Sequence, residues 1–296
     1  MPTDYFLLTT MKTLYKELID GIRKEVKARG FEKVVVGLSG GLDSATTIKL
    51  AVDALGPENV TAIIMPEIGL TSQENMEHAK LLAEHLNTRV YSQPINSFLV
   101  SFNFVPWGQI KLSQMNLRAR IRMLLLYHYA NTVNALVLGT SNRSELLLGY
   151  GTKYGDLAAD IEVIGSLYKT DVRELAKFMG LPDEFIQKAP SAELSNGQTD
   201  EEELGAPYSK LDMVLRLYDE GRSEEDITSR GIETALTRTT IRRIEDNQHK
   251  SEMPPVLPTS LIKSSEIDIP TITEEDTDTK IPTKILPGQQ TLFRNL

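Results

Sequence analysis

The sequence predicts an α/β fold in which one parallel sheet is covered by helices on both faces. Short apolar stretches of strand length alternate with segments whose apolar positions recur at helical spacing. Each of these strands is apolar throughout, as is typical of strands buried on both sides of a parallel sheet. A chain of 296 residues is long enough for one large domain of this kind, or for two smaller ones.

The first element is an amphipathic helix over residues 11–29, in which an apolar residue recurs every four positions and Gly30 is placed to end the helix. Residues 1–10 are expected to form a loose leader. The predicted strands are residues 34–36, 60–65, 89–95 and 134–139, with a short fifth strand at 161–164. The helices between and after them are predicted over residues 44–55, 71–86, 114–132, 169–179, 208–220, 223–229 and 233–248.

Three regions lack a clear period. Residues 96–113 are aromatic and broken by Pro106 and Gly108, so they receive no assignment. Residues 189–205 read as a polar loop that ends in an acidic run. From residue 253 onward, prolines, threonines and acidic residues alternate without helical or sheet spacing. We therefore predict one domain over residues 1–252 and an extended or disordered tail over 253–296.

The overall composition restricts the class of function. A net charge of −9 argues against a broad surface for nucleic acid or anionic membrane. The absence of cysteine excludes disulfides, thiolate metal sites and persulfide chemistry. No apolar run approaches the ~20 residues of a membrane span, and the N-terminus lacks the apolar region of a signal peptide. These features predict a cytoplasmic protein with no nucleic-acid partner and no membrane association.

The turn after the first strand is the main candidate site. Ser39, Gly40 and Gly41 form a tight turn between a strand and a helix, and such a turn directs unpaired N–H groups at one point. The turn lacks the lysine of a Walker A loop and the spacing of a dinucleotide-binding loop. Its hydroxyls suit a pyrophosphate, and Asp43 is placed to bind Mg²⁺ on it. The alternative is a glycine-rich turn without a ligand.

Further polar residues follow later in the chain. Gly139 and Thr140 end another strand, and ligands of parallel sheets bind beyond such strand ends. Arg118, Arg120 and Arg122 lie near the predicted start of a helix, whose dipole disfavours cations, so they suggest a phosphate-rich partner. Helix-surface arginines paired with acids are the alternative. Taken alone, a residue such as Glu145 or His249 is more often an ordinary surface side chain than part of a site.

The segment Ser39-Gly-Gly-Leu-Asp-Ser44 after an apolar strand resembles the pyrophosphatase-type loop of adenylating ATP enzymes. These enzymes cleave ATP between the α and β phosphates. The superfamily includes GMP synthetase, asparagine synthetase, argininosuccinate synthetase and tRNA-modifying enzymes. The loop alone does not separate them.

Further segments resemble the ammonia-dependent NAD+ synthetases, and they occur in that family's order over about residues 10–255. They are Asn116-Leu-Arg-Ala-Arg120, Gly139-Thr-Ser-Asn-Arg-Ser-Glu145, Gly149-Tyr-Gly-Thr-Lys-Tyr-Gly-Asp156, Tyr168-Lys-Thr170, Ala189-Pro-Ser-Ala-Glu193, Gly197-Gln-Thr-Asp-Glu-Glu-Glu-Leu-Gly205 and His249-Lys250. The resemblance implies a doubly wound, Rossmann-like parallel sheet of the adenine nucleotide alpha-hydrolase type, with C-terminal helices. It also implies a ligase of NAD biosynthesis that amidates deamido-NAD+ with ammonia through an acyl-adenylate, using ATP as co-substrate and Mg²⁺.

The resemblance also assigns residues. Those implied to bind ATP are Gly37, Leu38, Ser39, Gly40, Gly41, Leu42, Asp43, Ser44, Thr140, Lys169 and Ser191. Those implied to contact deamido-NAD+ are Arg120, Tyr150, Lys153, Asp160, His249 and Lys250. Asp43, Glu145 and Lys169 are the implied catalytic residues, and Asp43 and Glu145 the implied Mg²⁺ ligands. The implied assembly is a homodimer, with ammonia taken up free or delivered by a separate glutaminase.

Three positions depart from the family pattern. Gly151 stands where a second aromatic residue is common, which would weaken stacking on nicotinate or shift that role to Tyr154. Leu157 and Ala158 replace usual glycines, and Ser191 replaces a usual threonine while keeping the hydroxyl. The alternative functions are another adenylating amidotransferase subunit, similar to GMP synthetase, and an ATP-binding sensor without chemistry.

Overall fold

The computed structural model describes residues 2–188, 190 and 199–257. The chain divides into two units after Glu252. Ser191 and most of the predicted tail lie outside the described residues. Both the role predicted for Ser191 and the extended or disordered state predicted for the tail therefore stay predictions.

The first unit is built on a five-stranded sheet. In chain order the strands are β1 (Lys33–Gly37), β2 (Val60–Ile64), β3 (Arg89–Ser92), β4 (Ala135–Gly139) and β5 (Ile161–Glu162). Their order in the sheet is β3-β2-β1-β4-β5, and all neighbours are parallel. From β1 the chain adds β2 and β3 on one side of the sheet and then crosses over to add β4 and β5 on the other side of β1. The strand order therefore reverses at the boundary between the neighbouring strands β1 and β4. The carboxyl ends of these two strands lie side by side, which is where parallel sheets bind ligands.

Alternate residues of β1 enter two different cores. Val34 and Val36 face a core that also contains residues of α1 (Pro2–Ala28), α2 (Leu42–Leu55) and α7 (Lys169–Phe178). Val35 faces the opposite core, against α5 (Lys111–Val133). The sheet is thus covered by helices on both faces, and the predicted doubly wound α/β fold is confirmed.

The remaining helices lie beside the sheet and after it. They are α3 (Gln73–His85), α4 (Asn96–Val100), α6 (Arg143–Leu148), α8 (Asp183–Ile186), α9 (Asp200–Leu204), α10 (Tyr208–Asp219), α11 (Glu224–Ser229) and α12 (Thr234–Asn247). Single 3-10 turns occupy Pro57–Asn59, Ser101–Phe104 and Gln248–Lys250. Residues of α6, α9, α10 and α12 share a third apolar core. The predicted C-terminal helices therefore pack as one layer.

Several local predictions were wrong. Residues 2–10 belong to α1 instead of forming a loose leader, since Pro2 fits the first position of a helix and no breaker follows it for a further 18 residues. The polar loop predicted at 189–205 contains α9, whose four acidic residues are favoured at a helix N-terminus. Within the described part of the chain, no helix has the length and apolar character needed to cross a membrane.

Candidate active site

The β1–α2 turn has the open geometry that its sequence predicts. Gly40 has a φ of 81°, and a Cβ at this position would overlap the backbone oxygen of Asn75. Gly41 precedes α2 without a side-chain cap, so N–H groups of the first helical turn remain available to a ligand. The hydroxyl of Ser44 donates to the Gly41 carbonyl at 3.0 Å and lies 3.1 Å from the Ser39 hydroxyl. The turn is therefore held by its own side chains, and the Ser39 and Gly41 N–H groups already donate to the Ser44 and Ser39 hydroxyls. The amides left for an anion are those at the start of α2.

A cavity of about 250 Å³ opens at the carboxyl ends of β1, β2 and β4. Its floor is formed by the β1–α2 turn and by Gly139 and Thr140 after β4. One wall is apolar and includes Ile64, Met76 and Leu126. A polar turn beside an apolar wall is suited to a ligand that joins phosphates to a flat base.

The cavity contains an ion cluster formed by Asp43, Glu145 and Lys169. The Lys169 ammonium pairs with a carboxylate oxygen of Asp43 and lies 3.5 Å from Oε1 of Glu145. Its side chain is only 4% exposed, so the two carboxylates share a buried cation. These three residues come from α2, α6 and α7, and the fold brings together the predicted catalytic residues.

Burial and charge perturb the pKa values in this cluster. Burial and, after it, the nearby Asp43 carboxylate together raise the pKa of Glu145 to about 8, against the opposing attraction of Lys169. For Lys169, burial disfavours the ammonium, but the attraction of Asp43 and Glu145 outweighs burial and raises its pKa. Two close, poorly hydrated carboxylates therefore depend on a cation between them.

Helix α6 places Glu145 in the cluster through its N-terminal cap. The side chain of Asn142 accepts from the Glu145 N–H at 3.0 Å, and the Glu145 carboxylate accepts from the Asn142 N–H at 3.2 Å. This reciprocal pair is a capping box, in which both side chains satisfy amides of the first turn. Sequence reasoning missed α6, although Asn142 and Glu145 have the spacing of such a box.

Four of the residues predicted to contact deamido-NAD+ surround the loop after α6. Arg120 donates to the Lys153 carbonyl at 3.3 Å, and the Lys153 ammonium donates to the His249 carbonyl. Lys250 donates to the Gly149 carbonyl at 2.7 Å. The fold thus gathers three cations and a histidine that lie far apart in the sequence.

The other predicted residues have different surroundings. Tyr150 lines the cavity, and its hydroxyl contacts Asp200 at 3.1 Å and Glu203 at 2.8 Å. The Asp160 carboxylate accepts from the Val137 N–H at 2.7 Å, which ties it to β4. A Cβ at Gly151 would lie 2.6 Å from a methyl group of Leu157. Two departures from the family pattern are therefore in contact, and Leu157 fills the space that a side chain at position 151 would take.

The helix-dipole argument for the arginines of α5 was wrong. The helix begins at Lys111, so Arg118 and Arg122 lie two or more turns from its positive end. Arg118 forms two hydrogen bonds to Glu67, and Arg122 donates to the Met65 carbonyl at 3.0 Å. Both arginines instead attach the segment after β2 to α5.

Sequence reasoning assigned no role to three further charged residues that line the cavity, namely Asp156, Lys188 and Asp200. Lys188 donates to the Gly40 carbonyl at 3.4 Å and so reaches the β1–α2 turn. Asp200 belongs to the acidic run at the end of the predicted polar loop, yet it is 4% exposed. The sequence signal that could have indicated a role for Asp200 is its place within the segment of residues 197–205, which resembles the family.

Comparison with known proteins agrees with this geometry. Residues 14–254 match the family model described as NAD synthase. The chain is 45% identical over 254 residues to the NH(3)-dependent NAD(+) synthetase of Methanocaldococcus jannaschii, covering 83% of this chain and 96% of that protein.

Two solved structures give similar matches. The NH3-dependent NAD synthetase of Campylobacter jejuni superposes with a TM-score of 0.73 at 37% identity, and the NMN synthetase of Francisella tularensis with 0.74 at 32%. Each comparison covers 84% of this chain and 99% of the other. The β1–α2 turn and the ion cluster lie in one cavity at the strand ends. Together with this geometry, the matches establish that the chain belongs to the NAD synthase family.

Proposed function

We infer that this chain catalyses the ATP-dependent amidation of deamido-NAD+ with ammonia, giving NAD+, AMP and pyrophosphate. The observation that carries this conclusion is the buried Asp43–Lys169–Glu145 cluster beside the uncapped start of α2, in a chain of the NAD synthase family. The nicotinate carboxylate attacks the α-phosphate of ATP, and pyrophosphate leaves. Ammonia then displaces AMP from the acyl-adenylate, which is the ligase reaction.

The β1–α2 turn and Lys169 hold the phosphates in this proposal. The predicted ATP contacts here are Gly37 at the end of β1, Leu38, Ser39, Gly40 and Gly41 in the turn, and Leu42, Asp43 and Ser44 at the start of α2. Thr140 and Ser191 complete the predicted ATP contacts. The amides at the uncapped start of α2 would stabilise the negative charge that develops on the leaving pyrophosphate. One such preorganised donor is worth about 3–4 kcal/mol in comparable sites.

Asp43 and Glu145 have the chemistry of Mg²⁺ ligands. Among the described residues, no group of three or more His, Asp or Glu side chains is arranged to hold a metal. Two adjacent carboxylates that already share one cation nevertheless suit an ion that takes its remaining ligands from phosphate oxygens and water. Mg²⁺ bound there would neutralise charge on the pyrophosphate.

The deamido-NAD+ site is proposed at the loop after α6. Arg120, Lys153, His249 and Lys250 supply positive and polar groups around this loop, and Tyr150 presents its ring to the cavity. Asp160, which accepts from the Val137 N–H, is a further predicted contact. In this proposal the cations around the loop after α6 bind the phosphates of the dinucleotide, and the nicotinate carboxylate of deamido-NAD+ enters the cavity.

One assay tests the function and its competitors. Purified protein is supplied with ATP, Mg²⁺ and ammonium, and with deamido-NAD+, nicotinic acid mononucleotide or XMP in separate reactions. We expect AMP and amidated product with deamido-NAD+ at a kcat/KM at least about tenfold above the other two. A preference for the mononucleotide would reassign the substrate, and AMP formation with XMP alone would favour the GMP-synthetase-like alternative. ATP binding without AMP formation would favour the sensor.

We also propose that the protein is a homodimer. Residues 100–124 carry a concentration of exposed apolar side chains, which marks an interaction surface. They are Val100, Phe102, Phe104, Trp107, Ile110, Leu112 and Leu124. Sedimentation should give a dimer, and Leu124→Glu should weaken it. Leu81→Glu, at an exposed leucine of α3, is the matched control. The cytoplasmic location and a separate glutaminase partner stay predictions.

A further inference from the structure

Two buried residues on one face of α10 reach the start of α7. Tyr208 and Asp212 are four residues apart, so their side chains lie one above the other on the helix. Each is 1% exposed. Neither belongs to a segment that the sequence singled out, and both contact Lys169 or the residues around its backbone.

Asp212 caps α7 from outside that helix. One carboxylate oxygen accepts from the Thr170 N–H at 2.9 Å, and the other accepts from the Ser144 hydroxyl at 2.5 Å. The same Ser144 oxygen accepts from the Lys169 N–H at 3.0 Å. The first two amides of α7 are therefore held by Asp212, directly or through Ser144. A carboxylate at this position also matches the positive end of the helix dipole.

Tyr208 contacts the other end of Lys169. The ammonium of Lys169 lies 5.4 Å from the centre of the Tyr208 ring, within the range of a cation–π contact. The Tyr208 hydroxyl is buried and has no hydrogen-bond partner among the described residues. The ring, and not the hydroxyl, is therefore the part of Tyr208 that the contact uses.

Lys169 needs such support for a physical reason. It is the first residue of α7, where the helix dipole repels a cation, and its side chain is buried beside two carboxylates. A flexible lysine has many rotamers, and the observed one places the ammonium beside Asp43 and Glu145. Fixing both the backbone and the far end of the side chain selects that rotamer.

We propose that Tyr208 and Asp212 are positioning residues, which hold Lys169 where it serves the phosphates of ATP. The inference rests on the proposed function for the role of Lys169. The C-terminal helical layer is then part of the ATP site, although neither residue needs to touch the nucleotide. The consequence is specific: losing either residue should weaken ATP binding and leave the use of ammonia unchanged.

The test compares KM for ATP, KM for ammonia and kcat in matched variants. We expect Asp212→Ala to raise KM for ATP at least about tenfold, because two buried donors lose their acceptor. Asp212→Asn keeps an acceptor for the Thr170 N–H and should return KM for ATP to within about threefold of wild type. Tyr208→Leu should raise KM for ATP about threefold or more, whereas Tyr208→Phe should leave it unchanged.

Asp53→Ala is the control for a purely structural loss. Asp53 also accepts from two side chains, Tyr15 and Lys49, but lies at the opposite end of α2 from Asp43. The Asp53→Ala variant should have a lower melting temperature and an unchanged KM for ATP. If Asp212→Ala behaves like this control, or if Tyr208→Phe is as impaired as Tyr208→Leu, the proposal is wrong.

Two further measurements keep the outcome decisive. If Asp212→Ala does not fold, Ser144→Ala is used instead. It removes the acceptor of the Lys169 N–H and leaves Asp212 bonded to the Thr170 N–H. An unchanged KM for ATP in this variant would overturn the proposal. Calorimetric titration with ATP alone measures the same effect without turnover. If wild type binds ATP but forms no NAD+, the proposed function fails, and the titration still decides the positioning role.

Discussion

The side-chain amide of Asn142 donates to the Asp43 carboxylate at 3.0 Å, joining the turn after β4 to the turn after β1 across 99 residues of sequence. The same Asn142 side chain caps α6 through the Glu145 N–H. One fully buried amide therefore sets the positions of both proposed Mg²⁺ ligands. This explains how two acids from separate elements are kept close despite their mutual repulsion.

Asn142→Ala should impair the site more than it impairs the fold. Loss of a helix cap costs about 1 kcal/mol, and the variant also releases Asp43 from its amide donor. We expect a lower kcat and a higher Mg²⁺ concentration for half-maximal activity, measured by AMP formation. Ser223→Ala is the matched control, since Ser223 caps α11 through the Asp226 N–H by the same motif. Equal effects of the two variants on Mg²⁺ dependence would contradict the assignment.

Asp43→Asn should remove the charge without changing the shape of the site. Turnover is expected to fall by about 10²-fold or more, the size of effect seen when a key electrostatic group is lost. The circular dichroism spectrum should match wild type. Asp53→Asn, in the last turn of the same helix, should keep its turnover. Near-wild-type turnover of Asp43→Asn would reject the proposed metal role.

Gly40→Ala should damage the phosphate turn in two ways. The φ of 81° costs about 1–2 kcal/mol for a residue with a Cβ, and that Cβ would overlap a backbone oxygen that cannot rotate away. We expect lower stability in urea and a higher KM for ATP. Gly30→Ala separates the two causes, because Gly30 has a φ of 77° with no atom within 4 Å of the added Cβ. It should show the backbone cost alone and bind ATP normally.

Glu162 should make stability depend on pH. Both its carboxylate oxygens are buried without a well-formed hydrogen bond to any described residue. Burial raises its pKa to about 7, against a nearby Ser141 N–H that acts in the opposite direction. An unfolded glutamate has a pKa of about 4.3. Between these values the folded protein binds more protons than the unfolded chain, so this contribution to stability falls as pH rises.

Glu162→Gln removes the charge and keeps the shape, so it isolates this dependence. Its melting temperature should be close to that of wild type at about pH 5 and higher than wild type at about pH 8. Glu202→Gln, at an exposed position, should show no such difference. A wild type that is as stable as Glu162→Gln at the higher pH would show that Glu162 is ionised in the folded protein at little cost.

Local sequence patterns predicted most of the scaffold. Mainly apolar stretches predicted β1, β2 and β4, because a strand buried on both faces has few polar positions. The edge strand β3 was predicted from a more polar stretch and is mostly exposed. The Ser39–Ser44 segment predicted the phosphate turn, since glycines without Cβ atoms and short hydroxyl side chains are needed within a few residues of each other. Pattern reasoning was least successful for short helices. Helix α6, only six residues long, is too brief to show a period, and α9 lay within a polar run.

Contacts between distant residues were decided only by the tertiary structure. The sequence placed Asp43, Glu145 and Lys169 together only through resemblance to a family, and the packing of α2, α6 and α7 puts them in contact. The contact of Asn142 with Asp43 and the roles of Tyr208 and Asp212 have no signature in the sequence, because nothing in a local pattern shows which distant residue a buried side chain will contact. The effect of such a side chain depends on which residue of another element the fold places beside it. The sequence by itself determined a strand, a glycine turn and a helix that could accept phosphate, and the packing of remote helices decided which cation and carboxylates face it.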